Sequence, residues 1–234
     1  TVAVGLGVDP APLAAAYTIV LDTPEAMARQ ARQEAWRPLL KVKLGGSLAD
    51  EEARMRAVAM SAPDARKVIA ATAAWSVDQL TQYAPVAARC GYELLEQPLP
   101  ARSEQSAEMR DGLAAAAVYI PLCADESLQT LADLPRLKGL YQAVNIKLDK
   151  CGGVTSALAI RDAAKADGLS IFIGCMLAPT LAIAPAHLLA QGAEYADLDG
   201  PFWFEDEPAK LTGDGLFAPI DPVIWGAGET RAND

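Results

Sequence analysis

Histidine and cysteine, the residues that most often build zinc sites or disulfides, are scarce. The 234 residues include 1 His and 4 Cys. Cys90, Cys123, Cys151 and Cys175 are widely spaced and form no Cys-x-x-Cys pair, so neither a zinc site nor a disulfide framework is indicated. His187 lies in an Ala- and Leu-rich segment, and we expect it to have a structural role.

The chain also lacks the features that point to a membrane, to nucleic acid or to secretion. No apolar run approaches the roughly 20 residues that span a bilayer, and residues 1–4 carry no charged leader or cleavage pattern. Acidic residues outnumber basic ones by 30 to 20, giving a net charge of −10, and no basic cluster is interleaved with aromatics. We therefore expect a cytoplasmic protein that binds neither membranes nor nucleic acid.

Eight short runs with strand-like composition alternate with longer segments whose apolar residues recur at helical spacing. The predicted strands are 16–21, 39–43, 67–71, 92–95, 118–123, 143–147, 170–174 and 195–198. Helices are predicted to begin at Pro24 behind an N-cap threonine, after Ser76, near Asp133 and at Val154.

This alternation predicts an α/β fold, a parallel TIM-type barrel. With 52% hydrophobic residues, the chain can form a single barrel domain over 1–234, with a lead-in at 1–14 and a tail at 202–234 that packs on the barrel. The alternative is an open doubly wound sheet. Against it, no Gly-x-Gly-x-x-Gly turn follows the first predicted strand.

Three lysines lie inside apolar runs that read as strands. Lys41 and Lys43 are two residues apart in 39–44, and Lys147 lies in 144–148. Because side chains alternate along a strand, Lys41 and Lys43 share one face. A buried lysine is costly without a partner or a task, so the three amines indicate a site of proton transfer. A lysine that snorkels from a strand end is the alternative for each one alone.

Carboxylates follow other predicted strands. Glu96 and Asp125 come at the ends of strands four and five, and the carboxyl ends of parallel strands meet at one end of a barrel. Two such carboxylates suit Mg²⁺, which prefers oxygen ligands. Lysines from strands two and six would flank the ion. That arrangement suits removal of a proton beside a carboxylate and its return on the opposite face, with the metal stabilising the enediolate.

The combination resembles the enolase superfamily, and within it the dipeptide epimerases such as L-Ala-D/L-Glu epimerase. The motifs that carry the resemblance are Leu40-Lys41-Val42-Lys43-Leu44-Gly45, Glu96-Gln97-Pro98, Ala124-Asp125-Glu126-Ser127, Asn145-Ile146-Lys147-Leu148-Asp149-Lys150-Cys151-Gly152-Gly153 and Asp197-Leu198-Asp199-Gly200-Pro201. The resemblance implies a (β/α)7β-like barrel, a dipeptide substrate, Mg²⁺ as cofactor and assembly into homo-oligomers.

The resemblance also implies a role for each matching residue. Lys43 and Lys147 match the two acid/base catalysts, and Lys41 matches a lysine that helps to neutralise the substrate carboxylate. Asp197 and Asp199 match the pair that binds the substrate ammonium. The matching metal ligands are Glu96 and Asp125.

Several positions depart from the family pattern. Ala70 stands where a third metal-binding carboxylate belongs, Thr72 stands where an Asn belongs, and the segment around Ala178 follows the family only in part. The sequence also contains no counterpart of the family's N-terminal capping domain. Since metal affinity depends on ligand charge, we expect weakened or lost Mg²⁺ binding and an impaired epimerase. The alternative is a catalytically inactive or engineered barrel scaffold derived from such an enzyme.

Aromatic side chains are expected to serve packing rather than chemistry. Trp36, Trp75, Trp203 and Trp225 are interpreted as packing residues, and Ile224 and Trp225 belong to a tail that is atypical of the family.

Overall fold

A computed structural model describes residues 2–45, 48–221 and 223, and in them eight strands form one parallel sheet in sequence order. The strands are β1 Tyr17–Ile19, β2 Leu39–Lys43, β3 Arg66–Ala70, β4 Leu94–Glu96, β5 Leu122–Ala124, β6 Ala143–Lys147, β7 Ser170–Gly174 and β8 Tyr195–Asp197. A parallel bridge between Ala15 and Ala196 joins the two sheet edges, where Ala16 N donates to Ala196 O at 2.7 Å. The nearly closed barrel confirms the predicted TIM-type fold, since a doubly wound sheet would reverse its strand order.

Helices separate the strands. In the described part of the chain they are α1 Val2–Leu6, α2 Pro24–Gln33, α3 Leu48–Ser61, α4 Val77–Arg89, α5 Ala107–Ala117, α6 Leu134–Leu137, α7 Leu148–Cys151, α8 Val154–Ala166 and α9 Thr180–Leu189. Short 3₁₀ turns occupy Ser103–Gln105, Leu131–Asp133 and Gly200–Trp203. Within 198–221 no α-helix follows β8, as in a (β/α)7β arrangement. None of the described helices is long and apolar enough to cross a bilayer.

Two predicted helix starts are confirmed in atomic detail. The Thr23 side chain accepts a hydrogen bond from Ala26 N at 3.2 Å, and Pro24 opens α2. Ser76 and Gln79 form a reciprocal capping box, with bonds of 2.8 and 3.2 Å, ahead of α4. The third predicted start, near 133, leads only to the single turn α6.

The predicted strand bounds hold for β2, β6 and β7, whereas the prediction 118–123 for the fifth strand is wrong at its start. β5 begins only at Leu122. Val118 and Tyr119 are 81% and 56% exposed in the turn that follows α5. Their strand propensity is overridden because that surface turn leaves them no neighbouring strand to pair with.

The barrel interior has an apolar floor beneath a polar layer. Its floor comprises Ala16, Leu39, Val68, Leu94, Cys123, Ala143 and Phe172, with Tyr195 packed beside them. Two residues further along four of these strands, on the same inward face, the side chains are buried and polar: Lys41, Glu96, Asn145 and Asp197. The larger apolar cluster includes outward-facing residues of the strands and the helices around them. The fold therefore places polar groups toward the C-terminal ends of the strands.

The described part of the tail packs on the barrel. Phe217 is fully buried and forms an antiparallel bridge with Leu13. Its ring meets His187 edge-on at 5.1 Å between ring centroids, so this buried histidine packs in the core. Ile224 and Trp225 lie outside the described residues.

The turn after β3 holds two non-glycine residues in the left-handed region, Thr72 at φ 52° and Ala73 at φ 59°. That region is strained for a β-branched side chain and much better tolerated by asparagine. We expect Thr72→Asn to raise the free energy of unfolding by about 1 kcal/mol, measured by urea denaturation. Thr155→Asn, at an exposed helical position of α8, is the control. A loss of stability in Thr72→Asn would contradict the strain argument.

Candidate functional site

Two neighbouring cavities open at the C-terminal ends of the strands. The larger, of about 470 Å³, is lined by all five residues predicted to bind or act on substrate: Lys41, Lys43, Lys147, Asp197 and Asp199. The smaller, of about 270 Å³, shares Lys43 and Lys147 with the first and is also lined by Glu96 and Asp125. The fold thus brings together every residue that the sequence singled out for the site.

Lys43 and Lys147 lie on opposite walls of the barrel. Lys43 is the last residue of β2, and Lys147 is the last residue of β6. Three strands separate β2 from β6 in either direction around the eight-stranded sheet. Both amines therefore approach the cavities from opposite sides.

Lys41 is almost fully buried and bridges two carboxylates. Its Nζ lies 2.7 Å from Glu96 Oε2 and 2.7 Å from Asp197 Oδ2. Burial by itself lowers the pKa of Lys41, but the attraction of Asp197 and Glu96 outweighs it and holds the pKa well above the ordinary value. Lys41 is therefore a fixed cation at neutral pH.

The two opposed lysines have contrasting environments. Burial, followed by repulsion from Lys41, lowers the pKa of Lys43, and its amine has no hydrogen-bond partner among the described residues. Burial also opposes the charge on Lys147, but Asp125 Oδ2 at 2.7 Å outweighs it and raises the pKa of Lys147. One amine is thus biased toward the neutral form and the other toward the protonated form.

Both oxygens of Glu96 already accept hydrogen bonds. Oε2 accepts from Lys41 and Oε1 accepts from the Asn145 amide. Asn145 can reach this position because Gly174 lies beside it on β7, and a Cβ there would lie 2.5 Å from Asn145 Oδ1.

Both oxygens of Asp125 are also taken. Oδ2 accepts from Lys147 and Oδ1 accepts from Lys150, which in addition donates to Asp125 O at 2.6 Å and Asn145 O at 3.1 Å. Burial raises the pKa of Asp125, but the neighbouring lysines outweigh burial and hold the pKa well below its usual range. Asp125 is therefore a carboxylate with its charge neutralised inside the protein.

The carboxylate oxygens at this site do not fit a divalent-metal site built from three carboxylates. Ala70 lies in register between Lys43 and Glu96 on the neighbouring strands and supplies only a methyl group. No cluster of three or more His, Cys, Asp or Glu side chains suited to a metal occurs in the described part of the chain. The two predicted ligands, Glu96 and Asp125, are bound instead by the protein's own ammonium and amide groups.

The sequence patterns did not indicate a role at the site for three residues that the structure places there. Asn145 lies two positions before Lys147, so the same alternation that placed the lysines also predicts an inward side chain there. Lys150 carries no such signal, because it follows the strand in α7. Trp203 was expected to serve packing only, yet it lines the larger cavity and is 41% exposed.

The structure is thus a TIM-type barrel with Lys43 and Lys147 on opposite walls of its mouth and carboxylates lining the same cavities. The chain belongs to the family described as Enolase C-terminal domain-like, which it matches over residues 25–216. It is 41% identical over 213 residues to N-acetyl-D-glutamate racemase of Pseudoalteromonas, covering 90% of this chain and 65% of that protein. It is 42% identical over 199 residues to L-Ala-D/L-Glu epimerase of Escherichia coli K12, covering 83% of this chain and 59% of that one.

A solved structure shares the fold closely. It is an enolase family member from Agrobacterium tumefaciens with homology to dipeptide epimerases, with sodium and L-Ala-L-Glu bound. The two structures align with a TM-score of 0.87 at 42% identity, over 96% of this chain and 67% of the other. The chain thus spans 65% and 59% of the length of the two curated relatives.

The Lys41 bridge generates a stability prediction. Lys41→Met keeps an apolar side chain of similar length but leaves two buried carboxylates without their cation. We expect the free energy of unfolding to fall by about 3–5 kcal/mol at pH 7, measured by guanidinium denaturation. Arg56→Met removes the exposed pair with Glu52 and should leave the free energy of unfolding nearly unchanged. Equal effects of the two substitutions would contradict a structural role for the Lys41 bridge.

Proposed function

We propose that this chain is a dipeptide epimerase-type barrel, in which two opposed lysines carry a proton to and from the Cα of a dipeptide carboxylate. The observation that carries the proposal is the placement of Lys43 and Lys147 on opposite walls of the same cavities. Inversion at a carbon requires one group that removes the proton from one face and another that returns a proton to the other face. Amines at the ends of β2 and β6 meet this requirement.

The contrast in charge between the two lysines supports this division of work. A neutral amine is needed to accept the proton and an ammonium to donate one. Lys43, with its lowered pKa, suits the first task, and Lys147, paired with Asp125, suits the second. In the reverse reaction the two exchange roles.

The cavity also suits a substrate with charge at both ends. Lys41 lines the cavity and is proposed to help neutralise the substrate carboxylate, while Asp197 and Asp199 are proposed to receive the ammonium. The relatives named above act, by their names, on L-Ala-D/L-Glu and N-acetyl-D-glutamate, which both present a carboxylate beside the inverted carbon. A dipeptide is the substrate that gives the two aspartates a task.

We propose that Mg²⁺ binds weakly. Ala70 lacks the oxygen that a third ligand would supply, and the oxygens of Glu96 and Asp125 have internal donors. With fewer charges to meet the negative charge that develops on the substrate carboxylate, turnover should be slow.

Restoring a carboxylate at position 70 tests the proposed metal site. We expect Ala70→Asp to tighten Mn²⁺ or Mg²⁺ binding by at least about tenfold, since affinity grows with ligand charge. Binding is measured by electron paramagnetic resonance of Mn²⁺ and by calorimetry of Mg²⁺. Ala73→Asp, three residues beyond the end of β3, is the control. Unchanged affinity in Ala70→Asp would show that the metal site lies elsewhere.

Hydrogen exchange tests the two-lysine chemistry. The chain is incubated with L-Ala-L-Glu or L-Ala-D-Glu and Mg²⁺ in D₂O, and loss of the Glu Cα proton is followed by NMR. We expect the unaltered chain to exchange the Cα proton slowly with both epimers. Lys43→Ala and Lys147→Ala should each lower the exchange rate by about 100-fold or more with the epimer from which that lysine removes the proton. Lys138→Ala, whose exposed amine pairs with Asp167, should exchange like the unaltered chain.

A second candidate is a catalytically inactive or engineered barrel scaffold. The internal ion pairs of Glu96 and Asp125, together with Ala70, favour it because the charges of these two carboxylates are neutralised without a ligand. Complete absence of exchange at high protein concentration, with both epimers, would support the scaffold and exclude the active enzyme.

A further inference from the structure

Asp199 is a buried carboxylate with no cation to balance it. It is 7% exposed, and its Oδ2 accepts from Thr18 N at 2.8 Å and from Trp203 Nε1 at 3.1 Å. Among the described residues no lysine or arginine forms an ion pair with it. Beside it, Asp197 Oδ1 is buried without a hydrogen-bond partner in the described chain. Both carboxylates line the larger cavity, so the unpaired charge of Asp199 and the unpartnered Oδ1 of Asp197 are available to a ligand.

Trp203 reaches Asp199 through a tight turn. The 3₁₀ turn Gly200–Trp203 follows Asp199 directly, and Phe202 N donates to Asp199 O at 2.9 Å. Gly200 permits the turn to lie against the loop after β7, because a Cβ there would be 3.0 Å from the backbone N and O of Ala178. The indole is thereby folded back onto the carboxylate four residues earlier.

The indole ring of Trp203 is also held in place by its packing on Tyr17, which in turn lies against Arg37. The indole stacks on Tyr17, with centroids 5.4 Å apart and planes at 17°. The Arg37 guanidinium lies 4.3 Å from the centroid of the Tyr17 ring, and Arg37 pairs with Glu34 at 2.5 Å. Trp203 nevertheless keeps part of its surface open to the cavity. A rigid indole beside two carboxylates is a setting that favours an organic ammonium ion.

We propose that Trp203 is a specificity-determining residue. Its indole N–H holds Asp199 in place and its ring forms one side of the ammonium subsite. The cavity therefore binds substrates with a free amino group in preference to N-acylated amino acids. This inference rests on the proposed function, and it decides between the two substrate types of the similar proteins. An N-acyl substrate presents no cation to Asp199 and leaves that buried charge unmatched.

Two ligands that differ only in the amino group test the proposal. L-Ala-L-Glu and N-propionyl-L-Glu have the same skeleton, and only the first carries an ammonium. Dissociation constants are measured by calorimetry for the unaltered chain, Trp203→Phe and the control Trp36→Phe. Phenylalanine keeps a ring on Tyr17 but removes the N–H donor. Trp36, which is 52% exposed, does not line the cavity.

We expect the unaltered chain to bind L-Ala-L-Glu at least about tenfold more tightly than N-propionyl-L-Glu, since a charge-assisted contact is lost in the second ligand. Trp203→Phe should reduce that preference by about fivefold through weaker binding of L-Ala-L-Glu alone, as loss of one hydrogen bond predicts. Trp36→Phe should leave both constants unchanged. In the unaltered chain, the ¹⁵N-indole NMR signal of Trp203 should shift on addition of L-Ala-L-Glu and not of N-propionyl-L-Glu.

The outcomes separate this inference from the proposed function. The role of Trp203 would be overturned if Trp203→Phe left the ratio of the two dissociation constants unchanged, or if the unaltered chain bound N-propionyl-L-Glu more tightly than L-Ala-L-Glu. Neither result would affect lysine-dependent exchange. Failure of the unaltered chain to bind either ligand at millimolar concentration would overturn the proposed function and this inference together. The indole signal requires no substitution, so a folding defect in the variant cannot imitate either result.

Discussion

The buried ammonium of Lys41 is the interaction on which the rest of the site depends. It ties β2 to Glu96 on β4 and to Asp197 on β8, through two contacts of 2.7 Å inside the barrel. The apolar floor lies below it, and Phe172 of that floor has its ring centroid 5.2 Å from the amine. Buried carboxylates tolerate this position because a cation lies between them. The same ammonium repels Lys43 and so contributes to the lowered pKa of that amine.

Ala70 contributes no charge to the wall of the site that Glu96 and Asp125 form. Each of these two carboxylates accepts hydrogen bonds from groups of the barrel itself, including Asn145 and Lys150. An ion that enters this wall must displace hydrogen bonds already made and gains only two anionic partners. The internal partners of Glu96 and Asp125 therefore keep the barrel stable without an ion. The same partners are the common cause of the weak metal binding and the slow chemistry that we propose.

The opposite side of the mouth has the complementary imbalance. Asp199 has two N–H donors and no cation in the described chain, and the braced indole of Trp203 limits what can approach it. The carboxylates Glu96 and Asp125 on one wall thus have internal partners, whereas Asp199 on the other wall has none of positive charge in the described chain. In the proposed function, this asymmetry orients a dipolar substrate, with its amino end toward β8 and its reacting carbon between Lys43 and Lys147.

Periodicity in the sequence by itself determined the eight strands, their sequential parallel order and the inward direction of Lys41, Lys43 and Lys147, because alternation along a strand and the meeting of strand ends in a barrel are local rules. It did not determine the start of β5, where a surface turn overrides strand propensity. Only the tertiary structure decided which charges pair. Lys150 on α7 binds Asp125 beyond the end of β5, and the Trp203 ring stacks on Tyr17 of β1. Those partners are set by distances between segments far apart in the chain, which spacing along a sequence does not encode.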